Sequence, residues 1–259
     1  MAFSPDYRTY PPASAATTAA VMDAGLRAYM LRVYNWMSSG LLLTGIIAYA
    51  IFATPALHEL FYRSGVTANG MVVRDQPTAL AMIAVFAPLA FVLVLSMGVN
   101  RLSRSTAQLL YWLFCAAMGA SLTSIFVIYT GDSIARVFFI TAATFAAMSI
   151  YGYTTKADLS RFGSFLIMGL FGIIIAGLVN MFLQSSALQF AISIIGVVVF
   201  VGLTAYDTQR IKATYVQYAY AEGTDGAAKR SVYDALSLYL NFINLFMLLL
   251  QLMGNRNSN

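Results

Sequence analysis

Arg101, Asp207 and Asn241 are the residues whose types and placement suggest chemistry, because each lies at or within a strongly apolar run. A charged side chain in hydrocarbon is costly, so an ionisable group inside a span points to function. Arg101 ends one apolar run, Asp207 ends another, and Asn241 lies inside the last. If alternate runs cross a membrane, all three fall in the same half of the bundle. Two readings stand for Asp207: a working carboxylate, or a helix-end acid paired with Arg210 or Lys212. Arg101 is either its partner or a topology determinant like Arg104. Asp234 reads as a helix-start acid favoured by the helix dipole, or as a residue lining an entrance.

Other chemistries are poorly supplied. His58 is the one histidine and Cys115 the one cysteine. No serine or cysteine nucleophile has a histidine base within the apolar runs. The spans lack the histidines and carboxylates that a zinc site uses. The last run has no lysine for a retinal Schiff base, and no phosphate-binding glycine loop is present. The expectation is a protein that is not an enzyme. His58 reads as a loop residue, Cys115 as a small buried group.

The elements that must position these residues follow from composition. Of 259 residues, 60 % are apolar and 10 % charged, against about 25 % charged in soluble domains. So few charges cannot cover so much apolar surface in water, and the lipid bilayer is the expected solvent. The net charge of +5 is spread between apolar runs, which argues for topology signals and against a nucleic-acid footprint.

A spanning helix needs roughly 20 apolar residues. Six runs qualify: Val33–Ala53, Thr78–Val99, Ala107–Thr130, Arg136–Tyr153, Phe162–Leu183 and Ala187–Tyr206. A seventh, Tyr233–Met253, holds Asp234, Asn241 and Asn244, so it either re-enters or spans with its polar residues facing the bundle. Pro88 is expected to kink the second span. Gly169, Gly172 and Gly177 suggest close packing of the fifth. Residues 1–22 carry no apolar signal core and are expected to be disordered. A short interfacial helix is expected to follow, leading into the first span of a 23–259 membrane domain. With the N-terminus cytoplasmic, eleven lysines and arginines lie inside and four (Arg63, Arg74, Arg136, Arg256) outside, which sets that orientation.

The run Tyr206–Gln209 (YDTQ) with Arg210-Ile211-Lys212, and Ala235–Phe246 (ALSLYLNFINLF), resemble the transmembrane Bax inhibitor motif family. Gly25–Gly45 resembles the N-terminal end of its bacterial members, and Gly119–Phe126 its third helix. The resemblance implies an all-α, seven-helix membrane bundle with the C-terminal helix central. It implies a pH-sensitive calcium leak channel in the bacterial inner membrane. It also implies an aspartate pair, with an arginine of the second helix latched on the first acid. Carried over, the first acid is Asp207, the arginine Arg101 or less readily Arg104, and the second acid is replaced by Asn241. Asp207 and, more weakly, Asn241 would be transient calcium ligands. Two touching carboxylates titrate as a pair; an amide cannot ionise, so the pH response is expected to be weaker or shifted. A second reading is a regulatory protein that modulates a membrane protease, with the N-terminal segment as its handle.

Overall fold

The computed structural model describes residues 15–66, 72–98, 101–218 and 223–257. Among the described residues nine helices and one hairpin follow in order: α1 (Ala15–Ala53), α2 (Pro55–Phe61), β1 (Tyr62–Val66), β2 (Val72–Pro77), α3 (Ala79–Gly98), α4 (Arg104–Leu122), α5 (Ser124–Ile128), α6 (Gly131–Thr154), α7 (Ser160–Leu183), α8 (Ser186–Tyr218) and α9 (Gly223–Met253). Seven segments among the described residues are long and apolar enough to cross a membrane. The protein is an all-α membrane bundle.

α9 is the most buried of the seven and packs on α1, α4, α6 and α8. The apolar positions of α9 explain its place. Val232, Ala235, Leu238, Tyr239, Leu245 and Leu250 are all fully enclosed, so neighbours surround it on nearly every side. After α9 the chain turns back: Thr130 N–H donates to the Asn255 carbonyl (3.0 Å) and Asn257 N–H to that of Ile128 (2.9 Å). This strap fixes the far end of α9 against the α5–α6 turn, so the last segment spans and does not re-enter. α7 lies outermost, packed on α8, and α3 packs on α4, α2 and β2.

Several boundaries differ from the sequence expectation. α1 runs unbroken from Ala15, so no separate interfacial helix precedes the first span. The apolar spacing continues through Met22–Met37, and nothing in it ends a helix. Residues 1–14 of the expected disordered segment lie outside the described residues. α3 continues through the buried Pro88. The loop at 54–77 holds α2 and a hairpin with an irregular register opposite Arg63–Gly65, where Asp75 takes a left-handed φ of 56°. His58 packs there, stacked on Tyr62 and 3.7 Å from Asp75.

Of the three glycines expected to pack the fifth span, only Gly169 is close-packed, where a Cβ would come 3.0 Å from Val199 Cγ2. A Cβ at Gly172 or Gly177 would meet nothing within 4 Å. At Gly152 it would strike the Ala205 carbonyl oxygen, with the Ala205 carbonyl carbon and Cα at 2.9 Å. At Gly119 it would come 2.7 Å from the Thr44 carbonyl oxygen. Those contacts are backbone and cannot turn aside, so α6–α8 and α1–α4 approach closely only because these residues are glycine. Gly152→Ala is expected to destabilise the protein by about 1–3 kcal/mol, the usual range for overpacking. Gly172→Ala should be neutral or mildly stabilising. Thermal unfolding of both in detergent checks this.

Candidate functional site

Asp207 sits on α8 near the basic end of the bundle and is 6 % exposed. Its carboxylate has a full set of partners. Arg210, one turn along, places Nη2 3.0 Å from Oδ1. Asn241 on α9 donates Nδ2–H to Oδ2 at 2.7 Å, and the Ser237 hydroxyl reaches the same oxygen at 3.3 Å. Arg210 also donates to Ser237 Oγ at 3.0 Å. The four side chains therefore tie α8 to α9. An aspartate and an arginine three residues apart share one helix face, as do Ser237 and Asn241, four apart on α9.

The rest of the YDTQRIK run is structural at this end. Gln209 accepts from Leu159 N–H (2.9 Å) and donates to the Ala157 carbonyl (2.7 Å), stapling the α6–α7 turn to α8. Lys212 donates to the Tyr153 carbonyl (2.9 Å) and lies 4.9 Å from the centre of that ring.

Arg101 is elsewhere. It is exposed in the turn between α3 and α4, its N–H bonded to the Gly98 carbonyl at 2.9 Å. The guanidinium on Asp207 is that of Arg210. Of the two readings for Asp207, pairing with Arg210 is what the structure contains, although the pair also reaches Asn241 as the resemblance implied. The sequence named Arg210 only as a helix-end partner, and no periodicity reveals which of two arginines an acid selects.

Asp234 is not a helix-start residue. α9 begins at Gly223, which puts Asp234 about three turns inside. Its Oδ2 accepts the Tyr29 hydroxyl of α1 at 2.6 Å, and Tyr29 stacks on Tyr215 of α8 at 4.9 Å. Three helices thus meet at a second buried polar point. In the middle of the bundle, Tyr239 shares a 2.7 Å bond with Thr44, which also donates to the Cys115 carbonyl.

The less buried face of α9 carries Ser237, Asn244 and Gln251. A spacing of seven places all three near one line along the helix. Leu240 and Met247 separate them. The line begins at the Asp207 cluster and ends at a polar cavity of about 410 Å³ at the opposite end. There Gln189 Nε2–H donates to Gln251 Oε1 (2.7 Å), as does the Ser193 hydroxyl (3.0 Å), and Asn180 donates to Gln189 Oε1 (3.1 Å). The seven-residue spacing of this stripe is legible in the sequence itself.

The cluster does not suit a resident calcium ion. Calcium takes six to eight oxygens, yet both Asp207 oxygens are engaged by donors and Asn241 turns its NH₂ toward them. Among the described residues no group of three or more histidines, cysteines or carboxylates is placed to hold a metal. A cation would find ligands here only in passing, after Arg210 withdraws and the amide turns.

The family described as "Inhibitor of apoptosis-promoting Bax1" matches residues 26–258. The chain is 46 % identical to the inner membrane protein YbhL of Escherichia coli, over 90 % of this chain and 94 % of that one. It is equally similar to a protein of Caulobacter vibrioides, covering 92 % of each chain. A membrane protein of Streptococcus pyogenes is 32 % identical over 91 % of this chain and 96 % of its own.

Proposed function

The chain belongs to the Bax1-inhibitor family, and from that membership we propose that it is a pH-sensitive cation leak of the bacterial inner membrane, with calcium as the ion carried. The observation that carries this reading is the buried Asp207 carboxylate, held by Arg210 and Asn241 at one end of the polar stripe of α9. The basic end faces the cytoplasm, and the N-terminus with it, by the excess of lysine and arginine there.

The Asp207 charge keeps Arg210 on Ser237 across the gap between α8 and α9 and shuts the path. Protonation removes the charge that holds Arg210, so the leak rises as pH falls. Arg210 takes the latch role that the resemblance gave to Arg101, and Arg101 serves topology. Ser237, Asn244 and Gln251 offer oxygens in sequence, which favours passage over storage, since conducted ions must also leave.

The test is calcium entry into dye-loaded proteoliposomes. Arg210→Gln should raise neutral-pH flux about fivefold, the factor for about 1 kcal/mol of a charged hydrogen bond after discounting the half-exposed arginine. Arg101→Gln should leave flux unchanged. The reverse result would return the latch to Arg101. Wild-type flux no greater than that of empty vesicles would reject the leak and favour the regulatory reading.

A further inference from the structure

A wide groove among the described residues does not include Asp207 in its lining and is not used by that reading. α1 and α6 both pack on α9 and leave between them a groove of about 1180 Å³. Its walls are apolar, including Leu42 and Ile46 of α1 and Phe139 and Ile150 of α6, with Phe242 of the central helix at its floor. It runs from Arg27 and Tyr153 at the basic end to Tyr49 and Gly131 at the other, and so crosses the depth of the bilayer.

Three observations say what fills it. First, Gly45 and Gly131 line the groove, and a Cβ on either would meet nothing within 4 Å, so these walls are set back from any protein neighbour. Second, Ser149, 5 % exposed, lines it with a hydroxyl that has no hydrogen-bond partner. A helical serine usually bonds within the protein, and a buried unpaired hydroxyl is unfavourable. Third, the basic mouth carries charge. Arg27 lines it, and Lys212 sits against the lining residue Tyr153. The acid nearest Arg27 in sequence is Asp23, at 3.9 Å with both side chains largely exposed, a pairing too wet to neutralise it.

We propose that the α1–α6 groove is a binding site for an anionic phospholipid, with an acyl chain along Phe242 and the headgroup phosphate at Arg27 and Lys212. Basic pockets between spanning helices are where anionic headgroups bind. The glycerol ester carbonyls lie one layer below the phosphate, at the level from which an acceptor for the Ser149 hydroxyl is available. The zwitterionic lipid of the bulk bilayer brings a choline or ethanolamine cation to the same mouth, so charge discriminates between them.

Purified full-length protein is reconstituted in phosphatidylcholine vesicles containing either phosphatidylglycerol or phosphatidylcholine with a nitroxide on its acyl chain. The electron spin resonance signal of immobilised lipid is then measured. The wild type should prefer phosphatidylglycerol, and Arg27→Gln should lower that preference about fivefold, as expected for one cation at the membrane surface. Gly45→Phe should reduce the immobilised fraction for both lipids, and Gly131→Leu does the same from the other end should the first variant fold poorly. Equal retention of the two lipids by the wild type would overturn the proposal. So would immobilised lipid undiminished in a folded Gly45→Phe or Gly131→Leu. An Ile46→Cys variant that forms a disulfide between two copies in the bilayer would also overturn it, by making the groove a dimer face.

Discussion

Asn241→Asp is expected to turn a shallow pH response into a steep one. In the wild type the amide donates to Asp207 at 2.7 Å. In the variant an oxygen stands there instead. Two ionised carboxylates at that separation repel by roughly 6 kcal/mol even at an effective dielectric constant of about 20, so they hold one proton between them and titrate as a pair. Each pH unit within the titration of one proton moves the shut–open balance by up to about 1.4 kcal/mol, a factor of about ten in open population. The wild type has a single titrating carboxylate at this point, and the variant has two. Calcium flux measured between about pH 9 and about pH 4, down to the reference carboxylate range, should rise more steeply in the variant as pH falls, at a different midpoint. The shared proton favours the folded pair at low pH, so the variant's melting temperature should also fall as pH rises, a slope the amide cannot produce. Superimposable flux profiles would remove Asn241 from any account of pH control.

Asp207→Ala should hold the path open and remove its pH dependence. It deletes the acceptor for Asn241 and Ser237 and the counter-charge for Arg210. Breaking a buried pair costs about 3–5 kcal/mol when the orphaned charge stays buried. Arg210 is 45 % exposed and can turn to water, so the expected loss of stability is nearer about 1.5–3 kcal/mol, the range for hydrogen bonds to a charged group. Asp207→Asn separates the two effects. It fills the same space and cannot ionise, so it should fold better than the alanine variant and still conduct without regard to pH. A pH dependence that survives in Asp207→Asn would place the sensing group elsewhere. The half-buried Asp234, bonded to Tyr29, would then be the next carboxylate to test.

Much of the frame was legible before any coordinates. Six spans followed from apolar length alone; the polar residues of the seventh left it open between re-entry and a span, and the seven-helix count came from the motif resemblance. The structure bears out both, and the enclosed faces of Tyr239 and Leu245 show why α9 tolerates asparagine: its neighbours are helices, not lipid. The contact between Asp207 and Asn241 was available through the motif resemblance. The pairing of Asp207 with Arg210 was one of the two readings open from the three-residue spacing, whereas the absence of Arg101 from the cluster was not legible, because Arg101, Arg104 and Arg210 offer equal chemistry. Two of the three expected packing glycines were misplaced for a related reason. Gly172 and Gly177 sit in the most regular small-residue pattern, yet they lie on the outermost helix, while Gly152 meets Ala205 where two helices cross.

Apolar length, loop charge and the order of motifs are properties of one stretch of chain, and those the sequence by itself determined: a seven-helix membrane bundle and the helices that bear its polar residues. Contact between helices is a distance between stretches remote in sequence. Tertiary structure alone decided that Arg101 stays in an exposed turn and that Ser237 of α9 joins Asp207 and its helix neighbour Arg210. It also placed Asp234 against Tyr29, 205 residues away, and left a groove between α1 and α6 where two apolar faces do not meet. The physical reason is that burial in lipid constrains each helix separately, whereas the register and crossing of packed helices depend on every interface at once.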